Sequence, residues 1–136
     1  MNNRELINLA LEARKMSYSP YSGFSVGAAL LCKDGSVYTG CNIENSAFSP
    51  TNCAERTAFF KAVSEGKRDF LKIAVVGGNS SESIPENYCP PCGVCRQVMK
   101  EFCSSDFEII VAKNPDDFQI MTLAEILPLS FDKREV

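Results

Sequence analysis

The chain has 136 residues, a net charge of −3 and an isoelectric point near 5.0, a length that suits one domain over residues 1–136 and a charge that argues against binding nucleic-acid backbones. It contains no histidine, which removes Ser-His-Asp and Cys-His hydrolases and His-based metalloproteases together, and its seven cysteines, an odd number, do not suit a fully paired disulfide framework. No apolar run approaches the roughly 18 residues that span a bilayer, and Met1-Asn2-Asn3-Arg4-Glu5 carries no secretory pattern, so a cytoplasmic protein with no membrane or nucleic-acid partner is expected.

Leu6, Ile7, Ala10, Leu11, Ala13 and Met16 follow a helical period, so residues 4–16 read as an outer helix. Ser19-Pro20-Tyr21-Ser22-Gly23 is a turn by composition. Residues 24–33 read as a strand whose small centre, Gly27-Ala28-Ala29, implies a close neighbour. Asp34-Gly35 signals a hairpin to an antiparallel strand over residues 36–43, in which Ile43 is expected to face the core while Asn42 and Glu44 share the other side.

After a polar stretch, residues 53–65 fit a helix with Asn52 as its N-cap and Ala54, Thr57, Ala58, Phe60 and Ala62 packed inward. Residues 71–76 suit a central strand buried on both faces. A loop over 77–91 leads to a helix over 93–102, a second central strand over 107–112 and a short strand over 118–121. Thr122-Leu123-Ala124-Glu125 reads as a capping box opening a last helix that Pro128 ends. Such an order predicts an α/β fold with a mixed sheet and helices on both faces, its ligand lying at helix starts beyond strand carboxyl ends.

Two motifs lie at such starts: Cys53-Ala54-Glu55-Arg56 and Pro91-Cys92-Gly93-Val94-Cys95-Arg96-Gln97. Unpaired N–H groups in a first helical turn favour negative charge, and cysteine binds metal as the thiolate. Thiolates of Cys53, Cys92 and Cys95 can grip one Zn²⁺ and leave the fourth tetrahedral position to solvent, the layout of a catalytic site. Glu55, two residues past one ligand, is placed to handle a proton there. Taken alone, Cys92-x-x-Cys95 fits a structural zinc or a redox pair equally, and Cys89 would allow a closed four-cysteine site. Cys32, Cys41 and Cys103 are most simply small buried apolar residues.

The pairing of Cys-Ala-Glu with Pro-Cys-x-x-Cys resembles the established signature of zinc-dependent nucleobase and nucleoside deaminases. Pro20-Tyr21-Ser22-Gly23-Phe24-Ser25-Val26-Gly27-Ala28-Ala29-Leu30, Gly40-Cys41-Asn42-Ile43-Glu44-Asn45 and Cys53-Ala54-Glu55-Arg56-Thr57-Ala58 resemble, in order and spacing, the small cytidine deaminases of nucleoside salvage. The resemblance implies a cytidine-deaminase-like three-layer α/β/α sandwich around a mixed five-stranded sheet. It implies hydrolytic deamination of cytidine and 2′-deoxycytidine to the uridines in pyrimidine salvage, with zinc on Cys53, Cys92 and Cys95, Glu55 as proton shuttle, and Arg56 offsetting the charge of the thiolates.

The same resemblance places substrate contacts at Phe24, Asn42, Glu44 and Ala54, with Asn42 and Glu44 on the ribose 3′-hydroxyl. Phe48 and Phe131 would come from a neighbouring subunit of a homotetramer; many relatives carry tyrosine where Phe48 stands, so a hydroxyl contact is missing there. Two other readings stay open: a deaminase of a cytosine-bearing antibiotic such as blasticidin S, against which Asn42 and Glu44 weigh, and a zinc-stapled interaction module with no open metal position.

Overall fold

In the computed structural model, which describes residues 1–135, the chain forms α1 (Asn3–Arg14), β1 (Phe24–Cys32), β2 (Val37–Cys41), α2 (Ala54–Ser64), β3 (Phe70–Asn79), α3 (Gly93–Phe102), β4 (Glu108–Asn114), β5 (Asp117–Thr122) and α4 (Leu123–Ile126), then a 3-10 turn at Lys133–Glu135. One five-stranded sheet has the order β2-β1-β3-β4-β5. Only β3 and β4 run parallel, and the helix α3 makes the crossover that a parallel pair requires. The Asp34-Gly35 turn works as its composition suggests: Gly35 takes φ 91°, where a side chain is strained, and the Asp34 carboxylate accepts from the Ser36 N–H at 3.0 Å.

Alternation along β3 sends Ile73 and Val75 to one face and Ala74 and Val76 to the other, and helices cover both. Leu6, Ile7 and Ala10 of α1 close over Ala29, Leu31, Ala74, Val76, Ile110 and Ala112. On the opposite face Ala58, Phe59 and Ala62 of α2, Met99 of α3 and Leu123 of α4 close over Leu30, Ile73, Val75, Ile109 and Val111. Burying each such large side chain stabilises the fold by about 1.5–3 kcal/mol. The result is the α/β/α sandwich with a mixed five-stranded sheet that the sequence leads one to expect. Among the described residues no helix is long and apolar enough to cross a membrane.

Local details depart from the sequence reading. Phe59, fully buried, faces the core, whereas Phe60 is 47% exposed because it lies across α2 from the Ala54, Ala58 and Ala62 stripe. Cys53 is the N-cap of α2; Asn52 is instead held extended by a two-way backbone pairing with Ile43. That pairing lies beyond β2 and leaves Ile43 47% exposed rather than in the core. Met16 falls past the end of α1 and stands in solvent, while Arg14 takes the next buried place after Leu6, Ile7 and Ala10. Strand β3 runs on to Asn79, because Gly77, Gly78 and Asn79 pair with Val26, Ser25 and Phe24.

Two glycines let the helices approach. A Cβ at Gly27 would stand 2.0 Å from the Ala10 carbonyl of α1, which accounts for the small centre of β1. At Gly40 it would stand 2.4 Å from the Ala54 carbonyl and 2.6 Å from the Ala58 nitrogen. Gly40 therefore sets how closely the first turn of α2, with Cys53 and Glu55, lies on β2. Gly40→Ala should lower unfolding stability by at least ~1–3 kcal/mol through overpacking against backbone, measured by urea denaturation; wild-type stability would show that α2 can shift freely.

Candidate active site

Helices α2 and α3 each begin on a cysteine in extended conformation, Cys53 and Cys92, and neither side chain caps its helix. First-turn N–H groups are thus left facing the sulfurs with their partial positive charge. Cys95 sits one turn into α3 and is buried, Cys53 is half-buried and Cys92 exposed. The three sulfurs lie within 4.8 Å of one another, Cys53 and Cys92 at 3.8 Å. Thiolates sharing a tetrahedral zinc through bonds of ~2.3 Å stand about 3.8 Å apart, so the donor set fits zinc. Soft sulfur also favours zinc over magnesium or calcium.

All seven cysteines are free thiols. Cys89 turns to β3, where a Cβ on Gly77 would meet its sulfur at 2.7 Å, and burial pushes its thiol up to about 11. Among the described residues the metal-competent cluster is Cys53, Cys92 and Cys95, without Cys89, so the four-cysteine arrangement does not form.

Charge in the cluster is shared. A hydrogen bond from Cys95 lowers the Cys53 thiol to about 5 against the opposing effect of burial, and Arg56 adds to this by donating from Nη2 to Cys53 Sγ at 3.0 Å. The Cys95 thiol is correspondingly pushed up, by its bond to Cys53 and by burial. A bound cation would replace such thiol protons. Burial works against the Arg56 charge, but hydrogen bonds to Cys53 and Cys95 outweigh it and raise its pKa; its Nε is buried without a partner among the described residues. Glu55, 4% exposed in the first turn of α2, has its carboxyl pushed up to about 7, chiefly by burial and further by the Cys53 charge.

A second group of residues shapes the turn before β1. Asn42 Oδ1 accepts from the Val26 N–H at 2.9 Å and from the Ser17 hydroxyl, and its Nδ2 donates to the Phe24 carbonyl at 2.8 Å. Glu44 accepts from the Ser22 hydroxyl and from the N–H groups of Tyr21 and Ser22 at 3.0 and 3.1 Å. Those bonds, that of the Ser22 hydroxyl foremost, hold its carboxyl below the usual range. Glu44 joins Tyr21, Ser22, Phe48 and Thr51 around a cleft of about 360 Å³.

Of the remaining site candidates, Ala54 is fully buried at the start of α2, and Phe24 is partly exposed at the start of β1. Phe48 and Phe131 present their rings to solvent; Phe48 meets Tyr21 edge-on at 6.1 Å, and the Phe131 carbonyl accepts from Gln97 Nε2 at 3.0 Å. The sequence reading missed Arg14. Its guanidinium donates to the carbonyls of Ser25, Glu82 and Asn79 at 2.9, 2.8 and 2.7 Å, fastening the loop after β3 that leads to Cys92. The available signal was a charge falling on an otherwise apolar helical stripe, one turn after Ala10.

Residues 1–111 match the family model of the cytidine and deoxycytidylate deaminase zinc-binding region. The chain is 48% identical to a cytidine deaminase of Sporosarcina psychrophila over 136 residues, covering 100% of this chain and 96% of that one. It is also 48% identical to a cytidine deaminase of Halalkalibacterium halodurans, covering 100% and 98%. The crystal structure of a cytidine deaminase from Burkholderia pseudomallei superposes with a TM-score of 0.87 at 41% identity, covering 96% of this chain and 100% of that one. With a sulfur cluster suited to zinc and a shared backbone from end to end, the chain belongs to the cytidine and deoxycytidylate deaminase family.

Proposed function

We propose that this protein is a hydrolase of pyrimidine salvage that converts cytidine and 2′-deoxycytidine, with water, to uridine and 2′-deoxyuridine and ammonia, working in the cytoplasm as a single domain over residues 1–136. The observation that carries this reading is the sulfur cluster at two helix starts with a buried carboxyl, Glu55, in the same first turn as Cys53.

Cys53, Cys92 and Cys95 would hold zinc, which supplies Lewis acidity and brings the pKa of water at the site toward ~7. Glu55 takes the proton from water as its oxygen adds to C4 of the cytosine ring, and delivers that proton to N3. The same carboxyl then passes the second proton to the departing amine as the C4–N bond breaks. Three thiolates against a dication leave one excess negative charge; the Arg56 hydrogen bond to Cys53 and the uncapped starts of α2 and α3 offset it.

Phe24 packs on the pyrimidine, and Ala54 at the head of α2 is a further substrate contact. The ribose 3′-hydroxyl goes to Asn42 and Glu44: the second hydrogen of Asn42 Nδ2 remains as a donor, and the Glu44 carboxylate, kept ionised by the Tyr21–Ser22 turn, is an acceptor.

The working form is a homotetramer with shared sites. Phe48, Leu129 and Phe131 are 70%, 106% and 61% exposed, and the backbones of Phe48 and Leu129 are held at φ 60° and 50°. Such conformations cost about 1–3 kcal/mol, and large apolar groups presented this way favour cover by another copy. Phe48 and Phe131 would complete the neighbour's substrate pocket, Phe48 by packing alone.

Purified protein should convert cytidine to uridine, followed by ultraviolet absorbance, and should act far more slowly on free cytosine. Glu55→Gln should keep zinc and nucleoside binding while losing ~10²–10⁴-fold in kcat; near-normal turnover in that variant, or equal action on base and nucleoside, would discard the assignment. Removing residues 128–136 should raise KM for cytidine and shift sedimentation to smaller species. A full-length protein that sediments as a fully active monomer would refute the shared site.

A further inference from the structure

Beyond Cys95, the side chains of Arg96, Gln97 and Lys100 on α3 reach toward the chain's end, while Met99 faces the core. Arg96 Nε donates to the carbonyl of Pro91, the residue before Cys92, at 2.8 Å. Its Nη1 donates to the carbonyl of Ile126, the last residue of α4, at 2.7 Å. Gln97 holds the Phe131 carbonyl at 3.0 Å. One turn further, Lys100 stands 4.0 Å from the carboxylate of Asp132, which is buried and gripped by Arg134. One strip of α3 therefore seats residues 126–132, while the start of the same helix carries Cys92 and Cys95.

We propose that Arg96 is a positioning residue that ties the seating of the C-terminal segment to the filling of the metal centre. Cys92 is the exposed member of the cluster and its side chain makes no capping bond to α3, so beyond its contact with Cys53 its placement depends on the chain that enters it. Arg96 fixes that entry by holding the Pro91 carbonyl, and with the same planar guanidinium holds Ile126. A metal that pins Cys92 keeps the first anchor of Arg96 in place, which preserves the second. Linkage runs both ways: whatever loosens residues 126–132 also loosens Cys92. Groups that hold a metal's ligands in place commonly change its affinity by about 10–100-fold, and Arg96 does so through the Pro91–Cys92 peptide rather than by touching a sulfur.

The proposal rests on zinc being held by Cys53, Cys92 and Cys95, and its test separates the two. Zinc transfer from the intact protein to a chromogenic chelator should be roughly 10–100-fold faster in Arg96→Gln than in wild type. Arg96→Lys, which can reach one carbonyl, should recover part of the loss; Gln97→Ala, which frees only the Phe131 carbonyl, should speed release by less than Arg96→Gln, and Lys15→Ala, whose ion pair with Glu12 lies on α1, should leave the release rate at wild type. Amide hydrogen exchange in wild type should rise on zinc removal at residues 89–102 and 126–132, with α1 unchanged. Wild-type protein that carries no zinc would fail the metal reading itself. Zinc-loaded wild type whose residues 126–132 exchange alike with and without zinc, or whose α1 loosens equally, would overturn the coupling alone, as would unchanged release from Arg96→Gln; should that variant not fold, the wild-type exchange comparison still decides.

Discussion

Thiolates repel, and a cluster of them persists only where the surroundings take up their charge. Here the sulfurs of Cys53, Cys92 and Cys95 converge on the uncapped starts of α2 and α3, beside the Arg56 guanidinium. The three sulfurs, all within 4.8 Å of one another, frame the place a cation would take. Much of the architecture serves this convergence. Gly40 lets the first turn of α2 lie directly on β2, the parallel β3–β4 pair requires the crossover that α3 provides, and Arg14 ties down the intervening loop by its carbonyls.

Polar side chains at the turn before β1 do double service. Asn42 and Glu44, candidates for sugar binding, are already committed to the turn that presents Phe24, and each keeps only part of its hydrogen-bonding capacity free. That commitment stiffens the turn before any ligand arrives, which reduces the entropy lost on binding. Arg96 shows the same economy on α3, with one guanidinium serving the approach to Cys92 and the end of α4.

What could be read in advance followed from short-range chemistry. The Asp34-Gly35 hairpin, the Thr122–Glu125 capping box with both of its bonds present, and the small centre of β1 are local patterns, and the cysteine spacings placed sulfur at two helix starts. Departures arose where tertiary pairing overrode a local rule. Asn52 is a good N-cap by type, yet its backbone is taken by Ile43, which moves the cap to Cys53 and carries Ile43 out of the core. Phe59 and Phe60 are adjacent and alike in composition; only the helical phase fixed by Ala54, Ala58 and Ala62 decides which is buried. Arg14 showed only as a charge on an apolar helical stripe and Arg96 not at all, because the acceptors that make them organisers include the backbone carbonyls of Asn79, Glu82 and Ile126, far along the chain, which leave no mark on sequence pattern.

X-ray absorption at the zinc edge of the purified protein tests the central claim most directly. The account predicts sulfur scatterers in a ratio of about three to one light atom, with zinc–sulfur distances of ~2.3 Å. A spectrum fitted by four sulfurs, or a preparation without zinc, would contradict it.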